Sequence, residues 1–480
     1  MKNTKRMKSA VLAVALALSL TACGKNPTVD EKSTESSAQT ASELQSSTQT
    51  GTQTEKTKVT LWTNVTEDSP QAVKDIQADL EQRIAEKFPD YEVEFIPKVY
   101  TDYNQDYDKA LMAGNAPDAF DMFSYTAIPT RIDNGTIADI TDLVKDWDMK
   151  KEDKVINTFD QVICEDGKWY AIPRSAYTMA LYVNKKAILA GGENPDNLPK
   201  TWDEFDKYCQ NVTDKSVPRF GYEIMGMEYC AWAFTPWVWS AGGEMVEKTS
   251  DGKWRIAFAD DPGVDAACYL NKLVNDSKVT QTNILCSLSD TDKDMMSGKA
   301  CFAWGTITNA TASELGQYGY EVSDFTQMCM PAKADSIENP ALAGGEVITF
   351  NPKIDKKTMK AAFDVMSYMY YDEDYQKIKW QATYDNGSNE IQIPARKDLY
   401  EEKLAMNPFL TDDVRENIKM QATVSKPEPY CEHWADVKSQ LVIPLQKIYL
   451  LQNADRDQIK KILDDCANEL CKLYPDTFVR

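Results

Sequence analysis

The chain has 480 residues, with 75 acidic against 53 basic side chains and a formal charge of −22. Proteins that track phosphates cluster Lys and Arg, so this balance argues against nucleic acid as a partner. A single histidine, His433, excludes zinc sites built on several histidines and the H-E-x-x-H metalloprotease motif.

The N-terminus reads MKNTKRMKSA and then VLAVALALSLTAC: a basic start, an apolar run and small residues before Cys23. This is the pattern of a secretory signal, here over residues 1–22. Its apolar run falls short of the roughly 20 residues that a spanning helix needs. Leu20-Thr21-Ala22-Cys23 is similar to the bacterial lipobox, in which the cysteine takes a diacylglyceryl group, so Cys23 is expected to carry lipid. Two acyl chains anchor stably where one does not. Residues 23–57 consist mainly of Ser, Thr, Gln, Glu and Lys, too polar to bury a core, and read as a flexible spacer.

KVTLWT (58–63) reads as a buried first strand. Ser69 and Pro70 suit the N-cap and first turn of a helix carrying Val73, Ile76, Leu80 and Ile84 at helical spacing. YEVEF (91–95) alternates like a strand with one wet face, YDKALMAG continues as a helix stopped at Gly114, and DAFDMF (118–123) returns to strand. Such alternation predicts α/β lobes with largely parallel sheets. Ligands of open α/β sheets sit beyond the carboxyl ends of strands, which directs attention to the loops after Trp62 and Phe123.

Further along, CEDGKWYAIP (164–173) suits a hairpin turned at Asp166-Gly167, followed by the apolar strand MALYV. Thr201 and Glu204 form a capping-box pattern, and Asp261-Pro262 opens a helix carrying Leu270 and Val274. Residues 356–371 and 457–474 are amphipathic at helical period. The stretch CAWAFTPWVWSAGG (230–243) holds Trp232, Trp237 and Trp239; read as a strand, it puts Trp237 and Trp239 on one face, toward either a ligand or the core. Ten cysteines after Cys23 stand singly with no C-x-x-C, and are expected to be small buried apolar residues, Cys466 and Cys471 on the core side of the last helix.

No nucleotide-binding or serine-hydrolase motif occurs. DTDKD (290–294) opens like a calcium loop but has Met295 at the sixth position and Cys301 at the twelfth, so it reads as a helix start and no metal site is assigned. Carboxylate pairs for glycoside hydrolysis are decided by separation in space, and nothing in the chain marks one. No catalytic residue and no cofactor is assigned.

Eight segments in order, KVTLWT, ALMAGNAPDAFDMF, NGTIADITDL, DGKWYAIPRSAYTMALYVNKKAI, PKTWDEF, SGKACFAWG, AGGEVITFNP and IQIPARKDLY, together resemble extracellular solute-binding proteins that feed ABC importers, specifically the sugar-binding branch that includes maltose-binding protein. The resemblance implies a two-lobed periplasmic-binding-protein-like α/β fold with a multi-stranded hinge and a ligand cleft between lobes. One lobe would take residues 58–172 with about 335–380, the other 173–334 with about 381–480, with crossings near 171–175, 329–345 and 376–385. It also implies a monomeric lipoprotein facing outside the cytoplasm, binding a sugar or oligosaccharide by lobe closure and passing it to ABC permease subunits. Rival readings are a receptor for a peptide or cation and a surface polysaccharide-degrading enzyme.

Within that frame the expected ligand-binding residues are Trp62, Asn64, Phe123, Tyr125, Arg174, Tyr177, Glu228, Trp232, Trp237, Trp239, Trp304 and Glu346, with Asp121 beside them. Indoles give flat apolar faces for the C–H face of a pyranose, and a few polar groups at strand ends orient hydroxyls. Asp118 is expected to fix a loop. From the lipobox follows a direct expectation: wild-type protein sediments with membranes, and Cys23→Ala releases it to the soluble fraction. Retention of the variant in the pellet would refute the anchor.

Overall fold

The computed structural model describes residues 55–98, 103–305, 311–337 and 341–480; Cys23, the signal and most of the spacer lie outside the described residues. Its frame is a ten-stranded sheet. The strands are β1 (Thr57–Thr63), β2 (Tyr91–Pro97), β3 (Ala119–Ser124), β4 (Ile172–Asn184), β5 (Phe220–Glu223), β6 (Ala300–Gly305), β7 (Phe325–Met328), β8 (Leu342–Phe350), β9 (Ile393–Pro394) and β10 (Lys426–Pro427). The main path runs β2-β1-β3-β8-β4-β6-β5, with β7 and β9 pairing β4, and β10 pairing β8.

β1 runs parallel to β2 and β3, and β6 parallel to β5, as the alternating pattern predicts. The middle differs. β8 is antiparallel to both β3 and β4, and β4 is antiparallel to β6. β4 explains this. Apart from Arg174 and Asn184, its 13 residues, IPRSAYTMALYVN, are apolar, aromatic or small on both faces and almost all buried, so the strand continues from one half of the sheet into the other, and β8 pairs with it running back. Residues 376–385, expected as a crossing, instead lie in a helix, Glu373–Asp385; the strand that pairs with β4 is β9, at Ala176 and Ser175.

Two sets of cores flank this strand. Val59, Leu61, Ile348 and Phe350 pack under the helices α1 (Gln71–Lys87) and Lys356–Tyr371, with Phe120, Phe123 and Phe159 in a neighbouring cluster. Leu181, Val183, Tyr222 and Phe302 pack beneath the helices Trp202–Val212, Cys230–Ser240, Asp261–Asn275 and Trp434–Leu450.

Several local expectations are met in detail. The hairpin turns at Asp166 (φ 49°) and Gly167 (φ 76°), Gly114 stops its helix at φ 78°, and Thr201 with Glu204 makes a reciprocal capping box. One helix start differs by one residue. Ser69 does not cap α1, because its Oγ accepts the Thr66 amide at 2.9 Å inside a preceding turn, leaving Pro70 at the cap. The helix Asp261–Asn275 starts at the expected Asp261-Pro262 pair, with Asp260 at its cap. Residues 288–296 form a helix in which Asp290 closes a capping box with Ser287. All ten described cysteines are free thiols.

Gly344 and Gly345 on β8 are fixed by close approach. A Cβ on Gly344 would lie 2.2 Å from the Tyr177 ring, and one on Gly345 2.4 Å from the Phe159 ring and 2.5 Å from the Ser175 carbonyl oxygen. The second clash involves backbone, which cannot swing away. Gly345→Ala should therefore destabilise the fold by about 1 to 3 kcal/mol, read as a lowered urea midpoint with unchanged slope. An unchanged midpoint would show that β4 and β8 separate freely at this point.

Candidate functional site: a charged cluster and an aromatic wall on one strand

Both neighbours of β8 break register at the same level. Between Pro173 and Ser175 of β4 the pairing to β8 skips Arg174, and between Phe120 and Phe123 of β3 it skips Asp121 and Met122. A bulge re-aims the side chain of the extra residue. Here the two irregularities bring Arg174 and Asp121 together.

Arg174 Nε donates to the Tyr370 hydroxyl at 3.1 Å and lies 3.6 Å from Asp121 Oδ2; its Nη1 lies 3.6 Å from Glu346 Oε2. The Tyr370 hydroxyl donates to Asp121, and Ser175 Oγ donates to Glu346 Oε2 at 2.8 Å. Burial alone would lower the Arg174 pKa, but Tyr370, Asp121 and Glu346 outweigh it and raise it, so the guanidinium stays charged. A cavity of about 310 Å³ opens beside this cluster, lined by Trp62, Asn64, Asp121, Arg174, Tyr370 and Lys379 among others.

A second cavity of about 200 Å³ continues past Arg174 to Glu390 and Lys403. Lys403 Nζ donates to Glu390 Oε1 at 2.8 Å and to the Gln392 carbonyl at 2.7 Å. Burial would raise the Glu390 pKa, yet Lys403 and Lys379 overcome it and hold the carboxyl down at about 2.

Three residues beyond Arg174, β4 turns aromatic. Tyr177 meets Trp232 edge-on at 6.5 Å between centroids, Trp232 meets Trp304 perpendicularly at 4.4 Å, and Tyr229 adds a tilted contact to Trp232 at 5.9 Å. Trp232 and Tyr177 are half-buried and Tyr229 is exposed, whereas Trp304 is buried. The indole nitrogens of Trp232 and Trp304 are both buried, and neither has an acceptor among the described residues.

The other expected residues are placed elsewhere. The stretch from Cys230 to Ser240 is a helix, not a strand, so Trp237 and Trp239 point to different sides. Trp237 is 1% exposed and packs on Trp202, Phe205, Tyr222 and Tyr269, its Nε1 donating to Tyr222 Oη at 3.1 Å. Trp239 is also buried; its Nε1 donates to Glu244 at 3.1 Å under the Lys426 ammonium. Phe123 lies in the core under the Arg131 guanidinium. Tyr125 is buried with its hydroxyl 3.1 Å from the Ala343 carbonyl oxygen and 3.2 Å from that of Glu428, and Glu228 is exposed in the turn before its helix. Asp118 binds the Thr60 amide at 2.7 Å, a loop-fixing contact.

Residues 71–412 match the family of bacterial extracellular solute-binding proteins. The chain belongs to that family. A galactooligosaccharide-binding protein of Bacillus subtilis is 26% identical over 282 residues, an alignment spanning 58% of this chain and 56% of that protein, so just over half the length of the curated relative is matched. Two solved structures share the fold. The GacH receptor of Streptomyces glaucescens, studied unliganded and with acarbose, superposes with a TM-score of 0.68 at 18% identity, covering 88% of this chain and 99% of that one. UgpB of Mycobacterium tuberculosis, in complex with glycerophosphocholine, gives 0.68 at 17%, covering 87% and 98%. The architecture is thus the two-lobed α/β fold of binding proteins, and no helix among the described residues is long and apolar enough to cross a membrane.

Tyr370, Lys379 and the Glu390–Lys403 pair did not emerge from sequence. They lie on or after helices whose periodicity marks a buried face but not which end of it meets a cavity. Lys403→Met leaves Glu390 without its main partner and should destabilise the fold by about 3 kcal/mol at neutral pH. In the wild type the contribution of the depressed Glu390 pKa is present above about 4.5 and lost as pH falls toward about 2. Urea titrations at pH 7, 4.5 and 3 should show that acid loss in the wild type and a reduced one in the variant.

Proposed function

We propose that the protein is the substrate receptor of an ABC importer, that it binds a sugar or oligosaccharide between its lobes, and that it delivers this ligand to a permease. The carrying observation is the juxtaposition on β4 of a charged, hydrogen-bonding cluster at Arg174 and an aromatic wall at Tyr177, three residues apart, or about 10 Å along a strand. A carbohydrate needs both surfaces. Its hydroxyls pair with fixed polar groups and its C–H faces lie on rings. The two indole N–H groups at Trp232 and Trp304 are donors for which a hydroxyl oxygen is the fitting acceptor.

The fold alone does not select a sugar, since a glycerophosphocholine complex shares it. The aromatic wall together with the hydrogen-bonding cluster favours one, and the galactooligosaccharide-binding relative supports that reading. The charged cluster is no catalytic pair in this reading: Asp121 and Glu346 are both engaged by Arg174 and neither has a free hydrogen-bonding environment of the kind that tunes a general acid. The protein binds and releases without chemistry of its own.

Closure in this reading divides the chain as the resemblance implies, residues 58–172 with about 335–380 on one side and 173–334 with about 381–480 on the other, with the helix Glu373–Asp385 at the boundary. β4 and β8 pass between them. Closure then adds contacts that exist only with ligand bound, and the ligand shifts the population toward the closed form. The lipid on Cys23 and the spacer after it keep the receptor, as a monomer, at the outer face of the cell membrane within reach of its permease.

Replacing Trp232 by Ala should weaken oligosaccharide binding by about 1 to 3 kcal/mol, taking ring–base stacking as the guide, with little loss of stability. Trp237→Ala, a core truncation, should cost about 3 to 5 kcal/mol of stability. Calorimetry with galacto- and malto-oligosaccharides, paired with urea melts, reads both. Normal binding by folded Trp232→Ala protein would remove the aromatic wall from the site.

A further inference from the structure

Glu223, the last residue of β5, is 1% exposed, yet neither of its carboxyl oxygens has a hydrogen-bond partner among the described residues. The same sheet face continues the pattern. Glu223 is level with Ala303 of β6, Ala303 with Tyr182 of β4, and Tyr182 with Gln327 of β7. Laterally paired residues share a face. Three of these four carry buried unpartnered polar atoms: both oxygens of Glu223, the Tyr182 hydroxyl and Gln327 Oε1. Buried polar atoms are nearly always paired, and an unpaired carboxyl is among the most costly to leave so.

Glu223 lines a cavity of about 1100 Å³ that shares no lining residue with the site around Arg174. Val274, Ile284 and Tyr449 contribute apolar wall, and Asp290 and Asp294 face it from the helix Leu288–Met296. Asp294 is paired with Lys299 at 2.8 Å, and Gln281 is committed to the Ile224 backbone, accepting at 3.1 Å and donating at 2.6 Å. Burial first, then Asp294, pushes the Glu223 carboxyl up to about 9, with Asp290 adding to the rise while Lys299 and the neighbouring Cys286 thiol, whose own hydrogen goes to the Ile224 carbonyl oxygen at 3.1 Å, oppose it. The other lining cations, Lys215, Arg219, Lys278 and Lys293, are not among the groups that act on it most. The charges that act on the carboxyl most, Asp294, Asp290 and Lys299, sum to a negative field, and Asp214 adds a further carboxylate to the cavity lining. Among the described residues no three His, Cys, Asp or Glu side chains gather as metal ligands, which favours an organic cation over a metal ion.

We propose that this cavity is a second binding site, taking an organic cation whose primary ammonium head pairs with Glu223 and whose apolar stem lies along Val274, Ile284 and Tyr449. Below pH 9 the carboxyl carries a proton; pairing with the ammonium ionises it, and that proton leaves to the buffer. Affinity thus rises with pH until the carboxyl is ionised in the free protein.

Calorimetry with n-butylammonium chloride at pH 7, in two buffers of different ionisation enthalpy, tests this on the full chain. Saturable 1:1 binding with release of close to one proton is expected. Glu223→Gln, which keeps size and removes charge, should weaken it at least tenfold, and Asp294→Asn should weaken it less. Trp232→Ala should leave it unchanged, which separates this site from the sugar site whatever that site binds. Failure of the wild type to bind, equal binding by Glu223→Gln, or equal binding of neutral n-butanol would each overturn the proposal.

Discussion

One strand holds the molecule together. β4 runs unbroken for 13 residues through both halves of the sheet, so the position of one half relative to the other is set by its twist and by what pairs along it. β8 pairs with it antiparallel over most of that length, and β9 adds a short third contact at Ser175 and Ala176. Because the pairing is interrupted at Arg174, the strands can bend there without losing the hydrogen bonds on either side.

The interruption also gathers the charges of the candidate site. A guanidinium placed among Asp121, Glu346 and Tyr370 is locked by charge-assisted contacts. The aromatic wall is built differently. Tyr177 gains its place because Gly344 has no Cβ, and Trp232 leans on Trp304 rather than on a polar partner. Polar groups are preset by ionic pairing and rings by close packing, two rigid surfaces on one strand with little ordering left for a ligand to impose.

Much of the frame was legible in the residues. β1, β2, β3 and the hairpin at Asp166-Gly167 carry alternation and turn chemistry that local physics reads directly. The strand reading of residues 230–240 failed because Trp, Val, Phe and Thr favour strands, and tertiary packing overrode that preference: buried on nearly every side, this helix has no polar face to reveal its period. Trp62, Asn64, Arg174, Tyr177, Trp232 and Glu346 could be named as candidates from sequence because each ends a strand, adjoins a crossing or sits in a motif. Tyr370, Lys379 and Glu390 join them only through contacts more than 190 residues apart in the chain, as between Arg174 and Tyr370, which no local pattern encodes.

The ten free thiols of this exported chain have a consequence for how it matures. None is paired, and burial pushes Cys230, Cys301 and Cys466 up to about 12, so almost no thiolate exists in the native state at neutral pH. The chain can reach its fold without oxidant, isomerase or shuffling intermediates. Its vulnerability lies earlier, before the chain collapses, when the same sulfurs are open to oxidation or mispairing. Burial on folding, rather than covalent cross-linking, is what protects these sulfurs.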